Sequence, residues 1–390
     1  MIMQKNIEDA FLRLVKYVEE EGFYGYDPYD ALNSPILSLL GKPSKLFRIA
    51  FTQALRRSII NFRPLIAIGK SHTPKGMGLF LSSYINLYKI YKDESYLDNI
   101  EFLADWLINN YSNGYSGYCW GYNFDWQNRT FFAPKGTPNI VNTSFIGHAL
   151  LDTFECLGLE KYLEVAQSAC NFILQDLNTH CEGDAACFSY TPLDNSKVYN
   201  ANYLGASLLI RTYSYTKNEE LLINANKAYE YGNKNQMQDG SWFYGSSESQ
   251  RWIDSFHTGY NIDALHCYEK SIGENKFGTH IKKGLDFYIK NFFLDDGTPK
   301  YYHNSIYPID IHCPAQALVT LSKLKDYDDR AISISEKVLN WTIKNMQDPK
   351  GFFYFRKGKL LTNKIPYMRW GQAWMLYGLS NLLYCHNEER

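Results

Sequence analysis

Two short stretches of this chain carry the groups best suited to moving a proton near neutral pH. Asp254 is followed three residues later by His257, and Asp310 two residues later by His312. A neighbouring carboxylate fixes the tautomer and orientation of an imidazole, and such groups serve as general acids and bases. Each aspartate could equally cap the helix that follows it, a role that needs this residue type at this place. A metal held by His257, His312, Asp254 and Asp310 is conceivable, but the ligand spacing typical of zinc is missing, so no metal and no cofactor are expected. Both pairs lie in aromatic surroundings. Trp120, Trp126, Trp242, Trp252 and Trp370, with Tyr122, Tyr244, Tyr260, Tyr301 and Tyr302, fall in loop-like stretches or at the starts of apolar segments. Flat rings with a polar edge, where a core does not need them, suit the faces of sugars.

The elements that must position these groups form a repeat. Gln236 to Asp263 runs from a glycine turn (Asp239-Gly240) through an aromatic run and a carboxylate to an apolar helix. The same order returns after Gly297 and after Gly351, at intervals of 57 and 54 residues. Segments apolar nearly all round begin near 75, 143, 201, 257, 312 and 370, and two-faced segments begin near 5, 97, 160, 218, 276 and 329. The first kind must be buried on every side, whereas the second faces solvent on one. Strict alternation of the two is the pattern of a closed ring of helical hairpins. The predicted fold is all-α, an (α/α)6 barrel of residues 1–390 in one domain with short aromatic hairpins in its loops. Residues 22–66, outside the repeat and dense in tyrosine and turn formers, read as a lid or rim that should bring Tyr26, Asp27 or Tyr29 to the mouth.

In such a ring the inner helices converge, so residues at their N-termini line the mouth of a central cavity. Those positions hold Asn142, Asn200, Asn202, Asp254, His257, Tyr260, Asp310, His312, Arg369, Trp370 and Gln372. The asparagines also suit helix capping. From the loops, Trp120 and Trp242 are added as ligand platforms.

Composition narrows the function classes. Lys+Arg 40 against Asp+Glu 41 leaves a net charge of −1, which gives nucleic acid no bulk attraction. The chain has no uncharged apolar run long enough to span a bilayer, and its first residues lack the features of a secretory signal. A cytoplasmic protein without an integral membrane segment is expected. Cys181 and Cys187 flank a short Gly-containing turn and are the one pair placed to bridge, against the reducing character of that compartment.

The alternating pattern over about residues 70–385 resembles the six-hairpin glycosidase-like toroids, which include unsaturated glucuronyl hydrolases and sugar epimerases. Gln236-Met237-Gln238-Asp239-Gly240-Ser241-Trp242 looks like the repeat motif of squalene-hopene and related terpene cyclases, where it ties outer elements together. Asp326-Tyr327-Asp328-Asp329 matches the letters of a cyclase acid motif but falls between an inner and an outer helix. Arg369-Trp370-Gly371-Gln372-Ala373-Trp374 looks like the Arg-Gly-Gln-x-Trp stretch of unsaturated glucuronyl hydrolases, with Trp370 as an additional residue. That resemblance implies Arg369 and Trp370 on a uronate and paired aspartates in the chemistry, here Asp254 and Asp310. The expected function is acid–base catalysis on a uronic-acid-containing saccharide, by hydrolysis or hydration or by a lyase or epimerase reaction. A non-catalytic glycan-binding or polysaccharide-assembly protein is the second reading, and an isoprenoid-binding toroid, with an apolar cavity, the third.

Overall fold

The alternation of apolar and two-faced segments becomes two concentric rings of helices. The computed structural model describes residues 2–128 and 131–388. In chain order the helices are α1 (Ile2–Glu20), α2 (Pro35–Gly41), α3 (Lys45–Arg57), α4 (Pro74–Tyr91), α5 (Ser95–Asn109), α6 (Ile140–Leu157) and α7 (Glu160–Gln175). They continue with α8 (Tyr199–Thr216), α9 (Glu219–Lys234), α10 (Ser255–Ile272), α11 (Gly278–Phe292), α12 (His312–Lys323), α13 (Ala331–Met346) and α14 (Trp374–Glu388). Around the inner ring α4 packs on α6, then α8, α10, α12 and α14 follow, and α14 returns to α4. The outer helices α5, α7, α9, α11 and α13 each back the inner helix before them, and α1 backs α14, closing the barrel with the N-terminal helix.

Residue type decides which ring a helix joins. In α8 every residue from Tyr199 to Ile210 is buried, and α6 is buried from Ile140 to Ser144 and again over Ala149 to Leu151. The outer α7 buries only Tyr162, Val165, Ala166, Ala169, Cys170, Phe172 and Ile173, a stripe at spacings of three and four. Inner helices end in short turns, four of them through a left-handed residue: Lys92, Gly158, Lys217 and Gly273. The connections from each outer helix to the next inner one are long. They all lie at the end where the inner helices begin.

The repeated glycines explain the regular spacing. Gly240, Gly297 and Gly351 adopt φ of +93°, +87° and +100°, and a Cβ there would lie 2.2 to 2.3 Å from a backbone carbonyl of α11, α13 and α1 respectively. Only glycine combines the left-handed turn with this close approach. Each turn thereby docks one loop onto the next outer helix. Gln236 completes the joint by donating to the Gly240 and His280 carbonyls, and Gln347 does the same to Gly351 and Ala10.

Short antiparallel ribbons stiffen the loops: Trp126–Gln127 with Phe132–Ala133, Thr179–Glu182 with Ala185–Phe188, and a three-stranded patch of Ile309–Asp310, Arg356–Lys357 and Thr362–Asn363. In the second ribbon Cys181 faces Ala186 and Cys187 faces His180. Cys181 is exposed and Cys187 buried, and both thiols are free, so the bridge considered from sequence does not form. Ahead of α14, residues 368–373 form a π-helical turn, with Gln372 N–H reaching the Tyr367 carbonyl. This wider turn absorbs the additional residue, Trp370, and turns its ring towards the mouth.

Candidate active site

The long loops fold over the N-termini of the inner helices and enclose a cavity of about 760 Å³. Its wall is cationic and aromatic. Arg56 and Arg57 reach it from α3, Lys75 from the first turn of α4, Arg356 from the three-stranded patch and Arg369 from the π turn. Among the described residues no aspartate or glutamate lines it. The positive ends of the inner-helix dipoles point the same way, so the mouth favours an anion. An isoprenoid site would need an apolar cavity, and this wall does not provide one.

His257 occupies the first turn of α10 and faces this cavity, its side chain 21% exposed. Its Nδ1 lies 2.7 Å from Asp254 Oδ2, and Asp254 Oδ1 accepts the His257 backbone N–H at 3.0 Å. Trp252 Nε1 donates to Asp254 Oδ2 at 2.9 Å, and the Trp252 ring stacks on Tyr244, which leans on His257. The buried carboxylate thus caps the helix and holds the imidazole with Nδ1–H inward. That tautomer leaves the Nε2 lone pair for the cavity.

One turn on, the Tyr260 hydroxyl meets His312 Nε2 at 2.6 Å. His312 is stacked between Phe256 and Trp374, with ring centroids at 4.4 and 4.2 Å. Burial holds its imidazole well below the usual histidine range, and the nearby Lys75, His257 and Arg369 add to this, so it is neutral. Burial pushes the Tyr260 phenol well above its usual range, so it stays protonated against the neutral His312. Beside it Lys75 Nζ sits 4.2 Å from the Phe145 ring centroid and 5.1 Å from that of Trp374. Burial first, then Arg369, push this amine well below the usual lysine range, with Asp27 opposing.

The structure brings His257, Tyr260, His312, Arg369 and Trp370 to one wall. The two aspartates expected as acid and base stand behind it. Asp254 is occupied as described, and Asp310 accepts from Arg356 Nε and Nη2, from Trp370 Nε1 at 2.7 Å and from the His312 N–H. Asp310 and Arg356 are direct partners in the three-stranded patch, which is why they meet. Asp27 is likewise enclosed, gripped by Arg369 through Nε at 2.5 Å and Nη2 at 2.8 Å. From the lid it is Tyr29 that reaches the cavity, while the Tyr26 carbonyl accepts the Met368 N–H.

Four further residues expected at the ligand make structural contacts instead. Trp120 Nε1 donates to the Leu107 carbonyl and Trp242 Nε1 to the Gly232 carbonyl, with both rings in the core. Asn202 bridges the Phe188 N–H and the Ala228 carbonyl, and Gln372 clasps the Phe353 backbone on both sides. Asn142 does not line the cavity and is fully buried with its side-chain amide unpartnered, and the cap of α6 is Asn139. Asn200, not Asn202, lines the wall. The residues missed were Lys75, Arg356 and Tyr190. Lys75 had a readable signal, since it opens an inner helix just as His257 and His312 do. Among the described residues no three His, Cys, Asp or Glu side chains converge as a metal site.

No sequence-family model and no curated protein matches this chain. Solved structures do. A cellobiose 2-epimerase from Bacillus thermoamylovorans superposes with a TM-score of 0.64 at 14% identity, over 82% of this chain and 88% of that one. A D-mannose isomerase gives 0.60 at 11% identity, over 80% and 86%. An α-1,6-mannanase from Salegentibacter sp., an inactive variant with two aspartates replaced and in complex with α-1,6-mannotetrose, gives 0.57 at 16%, over 83% and 91%. At these identities the likeness is one of fold, the (α/α)6 toroid.

Proposed function

We propose that this protein is a carbohydrate-active enzyme that moves a proton at carbon on an anionic sugar, as an epimerase or lyase of uronic-acid-containing saccharides. The observation that carries this reading is the Asp254–His257 pair presenting an imidazole to a cavity whose wall, among the described residues, has basic side chains and no carboxylate, the aspartates that pair with Arg356 and Arg369 standing behind it. Glycoside hydrolysis by the usual route needs two carboxyl groups flanking the scissile bond. The mannanase variant lost activity with two aspartates replaced. Here the adjacent pairs Asp295-Asp296 and Asp328-Asp329 are both away from the cavity wall.

Proton abstraction next to a carboxylate fits what the wall offers. His257 Nε2 takes the proton from the carbon bearing the carboxylate, and the electron pair is delocalised onto the carboxylate oxygens. Those oxygens gain negative charge, and Lys75 and Arg369 stand close enough together to stabilise it. For epimerisation the Tyr260 phenol, on the neighbouring turn and hydrogen-bonded to His312, gives its proton to the carbanion on the face away from His257, and exchange with solvent returns Tyr260 and His257 to their starting states. In a lyase the electron pair would instead expel the oxygen substituent one carbon away, which takes up that proton. A positioned general base contributes about 10² to 10⁴ in rate.

The test is to incubate the protein with uronates and uronate-containing oligosaccharides and read the products by NMR. An epimer or an unsaturated uronate is expected. A new reducing end with every carbon-bound hydrogen retained would make the enzyme a hydrolase. Binding without turnover would favour the glycan-binding alternative.

A further inference from the structure

The lid leaves much of its apolar surface outward, where an ordinary surface helix is polar. α3 turns Ile49, Thr52, Gln53 and Arg56 to the cavity, while in its first turn Leu46 is 74% exposed and Phe47 stands beside it in solvent. The short α2 leaves Leu39 and Leu40 exposed as well, and Leu65, in the segment leading to α4, is 80% exposed. A second element continues this face. The hairpin tip Leu360-Leu361 is tied to the lid where Asn363 Nδ2 donates to the Ser58 carbonyl at 2.7 Å, and Leu360 is 91% exposed. Isolated exposed leucines are ordinary, but a run of them over two joined elements marks an interaction surface.

Charge says what covers it. Between Asp30 and Asp93 the chain has no acidic residue, and none between Asp348 and Glu388. Lys42, Lys45, Arg57, Lys359 and Lys364 are exposed on these same two segments. The net charge of the whole protein is −1, so this face is positive by local arrangement. A second copy docked by the same face would set these cations against each other. An anionic surface with an apolar layer beneath it satisfies both components at once.

We propose that the lid and the 356–363 hairpin seat the mouth of the barrel on an anionic lipid bilayer. The leucines and Phe47 enter the interfacial layer, the lysines meet the headgroups, and the cavity opens beside the membrane. A saccharide attached to a lipid would then reach the site without leaving the bilayer.

The test is flotation of the purified protein with phosphatidylcholine vesicles, with and without phosphatidylglycerol. Partition is expected to be at least about tenfold stronger with phosphatidylglycerol and to fall as salt screens the lysines. Leu46→Ser with Phe47→Ser, and separately Leu360→Ser with Leu361→Ser, should each reduce it by about tenfold. Thermal melting of these variants should stay unchanged, because the side chains are exposed. Absence of flotation with phosphatidylglycerol, or flotation indifferent to both pairs of substitutions, would overturn the proposal. So would a wild-type dimer in light scattering that the same substitutions dissociate, since a second copy would then own the face.

Discussion

Replacing Asp254 by asparagine separates the two tasks of that side chain. Asp254 Oδ1 accepts the His257 backbone N–H, while Oδ2 accepts both Trp252 Nε1 and His257 Nδ1–H. An asparagine has one oxygen for these two places. With its oxygen on the backbone N–H, the cap survives, but an NH2 group confronts two N–H donors and the imidazole must turn over or leave. With the amide flipped, Trp252 and His257 keep their acceptor, but the NH2 faces the backbone N–H of α10. Either state leaves a buried donor without its acceptor, which costs about 1 to 3 kcal/mol. The first state also presents Nδ1 or a protonated Nε2 to the cavity, and neither serves as the base. Turnover should therefore fall by about 10² or more while KM changes a few fold, because Arg369, Lys75 and Trp370 are untouched. The assay is initial rate against substrate concentration, together with thermal melting. Full turnover in an Asp254→Asn protein that melts 1 to 3 kcal/mol below the wild type, about the cost set above, would refute the role given to this pair.

Three other outcomes follow from the same structure. His312 is held neutral by burial, as are His148, lowered to about 3 by burial and Arg211, and His266, lowered to about 4 by burial and nearby lysines. The unfolded chain therefore binds more protons than the folded one below about pH 6.5, so stability should be full above that pH and fall by up to about 1.4 kcal/mol per pH unit per group as the solution is acidified. Melting temperatures that stay level from about pH 7 to about pH 4 would count against it. Entry of a carboxylate beside Lys75 should raise the proton affinity of this amine, so proton uptake on uronate binding, read as buffer-dependent heat in calorimetry, should be smaller in Lys75→Met. Gly240→Ala adds a Cβ 2.2 Å from the Lys283 carbonyl at φ +93°, and should cost about 2 to 3 kcal/mol in chemical unfolding without altering the cavity wall.

The ring itself was legible because periodicity reports burial directly. Helices expected near 143, 201, 257 and 312 begin at Ile140, Tyr199, Ser255 and His312, and the two-faced ones near 160, 218 and 276 begin at Glu160, Glu219 and Gly278. The histidines were placed correctly by the same logic, as residues in the first turns of inner helices. What spacing does not reveal is which way a side chain points within that turn. Asp254 and His257 are three residues apart on one turn, yet the carboxylate turns back to the helix end and the imidazole forward. Trp120 and Trp242 went to the core for a related reason, whereas Trp126, Trp252 and Trp370 line the cavity. The Gly240 turn presses its loop onto α11, and Trp242 goes with it into the core against Gly284. Arg356 escaped notice because a cation in a two-residue strand has no sequence signature of its own, whereas Lys75 was overlooked although it opens an inner helix as the two histidines do. They become meaningful only when the ring closes and brings them to one cavity with Arg369.

The most direct measurement of the central claim is solvent exchange at carbon. A uronate substrate is incubated in D2O with the wild type and with His257→Asn, and deuterium at the carbon bearing the carboxylate is followed by NMR. Wild-type protein should incorporate deuterium at that carbon, or release its hydrogen as the unsaturated product forms, and His257→Asn should do so at least about 10²-fold more slowly. Turnover of the sugar with that carbon–hydrogen bond intact, or exchange that persists undiminished without His257, would contradict the account.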